Sequence, residues 1–354
     1  MIKDLVIIEI ASVLAGPSVG MFFSELGASV TKIENKLSGG DITRSWKLPN
    51  ESKQNNNSAY FSSVNYHKTH LFFNLKDKTD YDKTICLIKS ADILIVNFKK
   101  GDDLKLGLDY QSLKQINPKL IYASINGFGA DSDRVAYDLI LQAETGFMSM
   151  NGTRNSGPIK MPVALIDVLA GHQLKEGILL ALINRSKTNN GSKVEVSLYD
   201  SAIASLANQA SNYLMANHIA QPLGSLHPNI APYGELFETK DKYTITFAIG
   251  SNKQFKSLLE GLKLTEIKSD IRFIDNISRV KNREVLQKLL KSNINQFTKL
   301  DLLNYCHSHF IPAAEIKNMK AVFENKQSQN LILEETVNGQ LTKRVKTVAF
   351  KITS

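Results

Sequence analysis

"LVIIEIASVLAGPSVGMFFSELGASVTKIE", residues 5 to 34, decides the fold. Two short runs rich in β-branched residues, LVIIEIA (5–11) and SVTKIE (29–34), bracket SVGMFFSELG (18–27), which carries a helical pattern. A strand, a helix and a second strand in that order predict parallel pairing, because the crossover helix returns the chain to the same end of the sheet. The alternation continues outward. HLFFNL (70–75), DILIVNF (92–98), LIYASIN (120–126) and KVEVSL (193–198) read as further strands. TDYDKTICLIKSA (79–91) and two longer stretches, around 138–150 and 167–185, read as helices. The first two hundred residues therefore predict an α/β fold with a mostly parallel, doubly wound sheet, whose ligands sit beyond the carboxyl ends of the strands.

A chain of 354 residues exceeds what one hydrophobic core usually serves, so two domains are expected. The pattern breaks at MANHIAQPLGSLHPNIAPYG (215–234), where three prolines and two glycines interrupt it. Beyond it ELFETKDKYTITFAIG (235–250) reads as a hairpin, followed by helices at 252–262, 283–292 and 299–310, which together predict a smaller α+β domain. The last forty residues return to mixed strand and loop, with RVKTVAFKIT (344–353) the clearest strand, and the polar ESKQNNNSAY (51–60) reads as a surface loop.

Composition narrows the functional classes. With 43 % hydrophobic and 22 % charged residues the chain is ordinary for a globular protein. No apolar run approaches the ~18 residues of a membrane span, and Asp4 and Glu9 fall where a signal peptide needs an uncharged core, so a cytoplasmic protein without a membrane partner is expected. Cys86 and Cys306 form no ligand cluster, and CHSHF (306–310) is a weak metal signal, so no metal is expected. LAGPSVG is not a dinucleotide fingerprint and gives no ground for NAD or flavin. The formal charge of +9 would suit nucleic acid or a phosphorylated small molecule. Lysines and acids are interspersed, however, as in DLKLGLDYQSLKQ, which reads as a solvated surface and not as a nucleic-acid site.

Eight segments in colinear order, at 13–46, 67–77, 91–101, 120–129, 136–146, 162–202, 227–242 and 309–325, carry a resemblance. Among them are VLAGPSVGMFFSELGASVTKIENKLSGGDITRSW, AYDLILQAETG, ALIDVLAG and HPNIAPYGELFETKDK. Together they resemble the class III CoA-transferases, the family of formyl-CoA and carnitine CoA-transferases that also includes α-methylacyl-CoA racemase. The resemblance implies a Rossmann-like large domain (1–210 plus 312–354, both chain ends contributing), a small α+β domain (225–311), and two subunits threaded as an interlocked homodimer. It implies coenzyme A as substrate or product, with an acyl-CoA and a carboxylic acid acceptor as partners.

Asp167, in ALIDVLAG, matches the family's nucleophile. Its side chain is charged at neutral pH at an unperturbed pKa of ~3.9, and the free N–H groups of a helix start would hold it so. Attack on a thioester gives an acyl-aspartyl anhydride and CoA thiolate; the thiolate returns to form an aspartyl-CoA thioester, which an acceptor carboxylate then collects. As a bare residue, Asp167 is more readily read as a helix cap, since Asp is among the favoured N-cap residues. Tyr137 stands where racemases place a His, and a phenol with pKa ~10 is a poor base, which favours transfer over isomerisation.

The positions matching the family's CoA contacts are Leu14, Ala15, Asn35, Phe73, Asn74, Leu75, Lys76, Asn97, Phe98, Lys99, Lys105, Val135, Ala136, Tyr137 and Asp138. Lys76, Lys99 and Lys105 are the expected phosphate partners, with Lys36 and Arg44 nearby in sequence. Leu14, Asn35 and Val135 depart from the family's Gln, Arg and Lys, and HPNIAPYG lacks the glycine-rich loop of formyl-CoA transferase. Two alternatives stay open: an isomerase using Asp167 with Asp138, and a non-catalytic acyl-CoA-binding relative.

Overall fold

Six parallel strands, β1 (Val6–Ile10), β2 (Ser29–Asn35), β3 (Thr69–Phe73), β4 (Ile93–Val96), β5 (Ile121–Asn126) and β6 (Ser192–Ser197), form one sheet in the order β3-β2-β1-β4-β5-β6. The computed structural model describes residues 2–337 and 339–353. The sheet belongs to a unit made of Met1–Met148, Lys160–Ala220 and Gln329–Ser354; the second unit is Ser149–Ile159 with Gln221–Ser328.

In the central strands β1, β4 and β5 side chains alternate between two buried faces, which is why these runs are largely apolar, whereas the edge strands β3 and β6 leave residues exposed. Ile7, Ile93, Ile95, Ile121 and Ala123 pack on one face against Val19, Phe22 and Phe23 of α1 (Ala15–Glu25). Ile8, Leu94 and Tyr122 point the other way, into a core shared with Ile88 and Leu113. Those two lie on helices of the opposite layer, Ile88 on α3 (Lys78–Lys89) and Leu113 on α5 (Tyr110–Ile116), while α2 (Ala59–Ser62) and α4 (Asp102–Lys105) are single turns. The stretch at 138–150, expected as one helix, is two: α6 (Asp138–Glu144) and α7 (Phe147–Met150), separated by Gly146 at a φ of 87°. The long α8 (Leu165–Thr188) places Ile166, Ala170, Leu174 and Ile178 on the α1 side of the sheet. Gly171 is required there, since a Cβ would lie 2.5 Å from Ser18 Oγ of α1. After β6 follow α9 (Leu198–Ala204), N-capped by Ser197, and α10 (Ala207–Ala216).

In the second unit, β7 (Tyr233–Glu238), β8 (Thr244–Ala248) and β9 (Ala313–Glu315) form an antiparallel sheet. Helices α11 (Asn252–Gly261), α13 (Arg283–Ile294) and α14 (Lys299–Ser308), with the short α12 (Asn276–Lys281) between the first two, contribute Phe255, Leu258, Leu286, Leu290 and Leu302 to its core. The division falls differently from the expected boundaries at 210 and 312. Because β9 pairs with β8, the chain is still with this unit beyond 312; the unit runs to Ser328 and also includes Ser149–Ile159.

The last strands are an antiparallel hairpin, β10 (Ile332–Val337) and β11 (Gln340–Val345). The strand expected over 344–353 stops at Val345, where its pairing with Ile332 ends. Beyond it the N–H groups of Thr347 and Val348 donate to the Glu25 carboxylate instead of to a neighbouring strand. Among the described residues no helix is long and apolar enough to cross a membrane.

Candidate active site around Asp167

The residue before α8 is Ala164, which has no side chain to cap it, and Asp167 is the third residue of the helix. The cap comes from another helix. Asp138, first residue of α6, accepts the N–H of Ile166 at 2.7 Å and, more weakly, that of Asp167 at 3.4 Å on Oδ1. Its Oδ2 accepts from Gln142 Nε2 at 2.6 Å, and the buried Gln142 in turn accepts the N–H of Met161 at 2.7 Å. One carboxylate and one amide thus tie α6 to the segment entering α8.

This arrangement overturns the expectation that the helix start holds Asp167 ionised. The amides that would do so are engaged by Asp138, Asp167 is only 7 % exposed, and its pKa is pushed up to about 7, first by burial and then by the Asp138 charge. A carboxyl poised near neutrality is unusual outside functional sites.

Two clefts meet at this side chain. The first, about 250 Å³, lies beyond the carboxyl ends of β1, β4 and β5, lined by the loops at 12–15, 97–99 and 132–137. The strand order reverses between β1 and β4, which is where an open α/β sheet splays its loops to make a crevice. The second, about 430 Å³, is lined by Trp46, Tyr60, Asp138, Lys160 and Val163 among others. Val13, Leu14, Tyr137 and Asp167 line both.

The expected contact residues divide accordingly. Leu14, Ala15, Asn97, Phe98, Lys99, Val135, Ala136 and Tyr137 share the first cleft with Asp167, and Asp138 lines the second. Asn97 also pins the β1 loop to the β4 loop, since its amide donates to Ser12 O at 3.0 Å and accepts Ser12 N–H at 3.1 Å. Asn35 lines a separate cavity and caps the N–H of Leu37.

Phe73, Asn74, Leu75, Lys76 and Lys105 line neither cleft at Asp167. Phe73 and Leu75 pack against the core, and Lys105 pairs with Asp102 at 3.2 Å on the exposed α4. Lys36 is exposed. Arg44 is committed to Glu34, at 2.7 and 2.6 Å, and lies over the Phe61 ring at 3.7 Å. With His70 and the Asp41 N–H also donating, Glu34 is held well below the usual carboxylate range even though burial opposes it.

Three residues that the sequence reading passed over stand in the clefts. Arg134 lines the first, its guanidinium over the Phe128 ring at 3.8 Å and ion-paired to Glu144. Trp46 and Tyr60 line the second, ring edge to face at 5.1 Å. The Tyr60 phenol is pushed up to about 12 by burial and by the nearby Asp167 and Asp138 charges, so it keeps its proton as a hydrogen-bond donor. The signal for Tyr60 was present: Ser58 caps α2 by accepting the Phe61 N–H at 2.9 Å, converting the end of a polar loop into a helical turn.

The model of CoA-transferase family III matches residues 2–354. The chain belongs to this family. It is 36 % identical to the succinate–glutarate CoA-transferase of Agrobacterium fabrum over 91 % of this chain and 82 % of that one. It is 32 % identical to the human succinyl-CoA:glutarate CoA-transferase, over 92 % and 74 %. The crystal structure of a CAIB/BAIF family protein from Brucella suis superposes with a TM-score of 0.88 at 34 % identity, covering 99 % of this chain and 92 % of that one. The protein is thus a family III CoA-transferase, an enzyme whose substrates are a CoA thioester and a carboxylate, built on the α/β fold of its relatives.

Proposed function

We propose that this transferase moves CoA between dicarboxylic acids of the succinate and glutarate kind, through covalent intermediates on Asp167. The observation that carries the reading is that one buried carboxylate lines two clefts at once. The first, with Lys99 and Arg134 at its wall, takes the CoA arm; the second takes the acyl group. Lys160 in the second cleft supplies a cation for the distal carboxylate of a diacid.

Ionised Asp167 attacks the thioester carbon, forming an acyl-aspartyl anhydride and releasing CoA thiolate. The thiolate attacks the aspartyl carbonyl and expels the first acid. The second acid attacks the resulting aspartyl-CoA thioester to form a new anhydride, and returning thiolate completes the exchange while freeing Asp167. The scheme uses no metal, NAD or flavin. The Tyr60 phenol donates to oxygen as charge develops there. A homodimer belongs to the same proposal, supported by the exposed apolar side chains Leu180 and Ile183 on α8 and Leu214 and Met215 on α10, as does a cytoplasmic site of action. Isomerisation is disfavoured because both oxygens of Asp138, its second acid/base candidate, already accept hydrogen bonds.

The test is intact-mass analysis after incubation with succinyl-CoA or glutaryl-CoA. A hydroxylamine-sensitive adduct is expected on the wild type and not on Asp167→Ala, with diacids outperforming monoacids as acceptors. An adduct on both proteins removes Asp167 from the scheme, and equal rates with monoacids remove the diacid.

A further inference from the structure

Beneath the loop that presents Val13 and Leu14 to both clefts lies a cluster of four buried charged residues that the chemistry above does not use. Glu9 of β1 sits between two lysines, Oε1 at 2.9 Å from Lys32 Nζ and Oε2 at 2.8 Å from Lys68 Nζ. Lys32 also reaches Asp41 Oδ2 at 3.2 Å and donates to Ala11 O, while Lys68 donates to Pro17 O and Asn65 Oδ1. All four side chains are essentially shielded from solvent. A buried ion-pair cluster contributes little net stability compared with apolar side chains of the same volume, so its presence calls for another explanation.

Asp41 supplies one. Its carboxylate oxygens face the Val13 N–H at 3.2 and 3.3 Å, and Thr43 N–H and Oγ1 fix the same carboxylate from the other side at 3.1 and 2.8 Å. Val13 has a φ of 73°, a left-handed conformation that a β-branched residue resists. It is also one of the four residues shared by the two clefts. Strain of this kind persists only where its surroundings enforce it, and it concentrates at functional sites.

We propose that Asp41, oriented by Lys32, is a positioning residue for CoA transfer: it holds Val13 left-handed so that the Val13–Leu14 wall stands correctly against Asp167. The proposal rests on the reading of the two clefts as the reaction site. Glu9 balances the charge of Lys32 from below and is itself shared with Lys68, and the Ser12–Asn97 pair fixes the loop on its other flank.

A double-mutant cycle tests it, because glycine adopts the left-handed conformation without enforcement. In the wild-type background Asp41→Ala lowers kcat/KM for succinyl-CoA by roughly 30-fold, in line with the cost of misplacing a reacting group. In the Val13→Gly background the same change costs under about threefold, and Asp41→Asn, which keeps an oxygen toward the Val13 N–H, stays within about threefold of wild type. An equal loss in both backgrounds, no loss in either, or a loss with Asp41→Asn as deep as with Asp41→Ala overturns the proposal. Should Asp41→Ala fail to fold by circular dichroism, Lys32→Met takes its place in the cycle with the same expectation. The adduct test on Asp167→Ala stands apart: if it fails, the site is misassigned, whereas failure of the cycle alone leaves the site and removes the positioning role.

Discussion

Asp167→Asn exposes the energetic cost of keeping a carboxylate ready to react. Asp167 moves from 3.8 in an unfolded chain to about 7 when buried beside Asp138, a displacement of roughly three pH units and about 4 kcal/mol. The sign follows from proton binding. Between pH ~4 and ~7 the folded state holds the proton and the unfolded state has lost it, so raising the pH favours unfolding across that window and has no further effect above it. The neutral amide carries no such penalty. The stability of Asp167→Asn relative to wild type therefore increases by about 2–3 kcal/mol from pH 5 to pH 8 and then levels off. Urea unfolding at pH 5, 6, 7, 8 and 9 measures this. Trp46 is the chain's only tryptophan and lies in the same unit as Asp167, so its fluorescence reports the relevant transition. Titrating groups that do not interact with Asp167 cancel in the difference. A difference that stays constant with pH, or that shrinks as pH rises, refutes the assignment of a raised pKa to this side chain.

On the proposed scheme the same ionisation governs turnover. kcat/KM for the acyl-CoA rises about tenfold per pH unit up to a plateau above pH ~7, with Asp138→Asn shifting the midpoint downward by removing the like charge; a midpoint near 4 in the wild type contradicts this. Gly20→Ala places a methyl group on top of Glu9 Oε2, which Lys68 holds in place, and a loss of about 1–3 kcal/mol in urea unfolding is expected, a change below ~0.5 kcal/mol showing that the charge cluster yields.

The parallel sheet was legible because its central strands are buried on both faces and write themselves as largely apolar runs between helices; β1, α1 and β2 fall within a few residues of the expected segments. What escaped was set by contacts distant in sequence. Nothing local shows that Asp138 lies over the first turn of α8, 28 residues onward, so the sequence credits Asp167 with amides that serve its neighbour. The strand expected at 344–353 has the right composition, yet Glu25, more than three hundred residues earlier, takes its N–H groups. Arg44 has the charge of a phosphate ligand, but Glu34 and Phe61 occupy it. Resemblance leads to Asp167 and half of the residues lining the first cleft; Tyr60 ends a loop, 51–60, whose polar composition hides its closeness to Asp167, and Trp46 stands just before that loop.

A helix end neutralises one anion well, and here that anion is Asp138. In the proposed scheme the consequence reaches past the attack step to the anhydride that step would generate. Two carboxylates compete to be expelled from that anhydride: the substrate's, which departs toward water, and the enzyme's, which would reappear as bare charge in a dry site. In that scheme the second is the poorer leaving group: the first anhydride would favour shedding the donor acid and carrying CoA onto the protein, and the same preference would make release of Asp167 from the second anhydride the slower step.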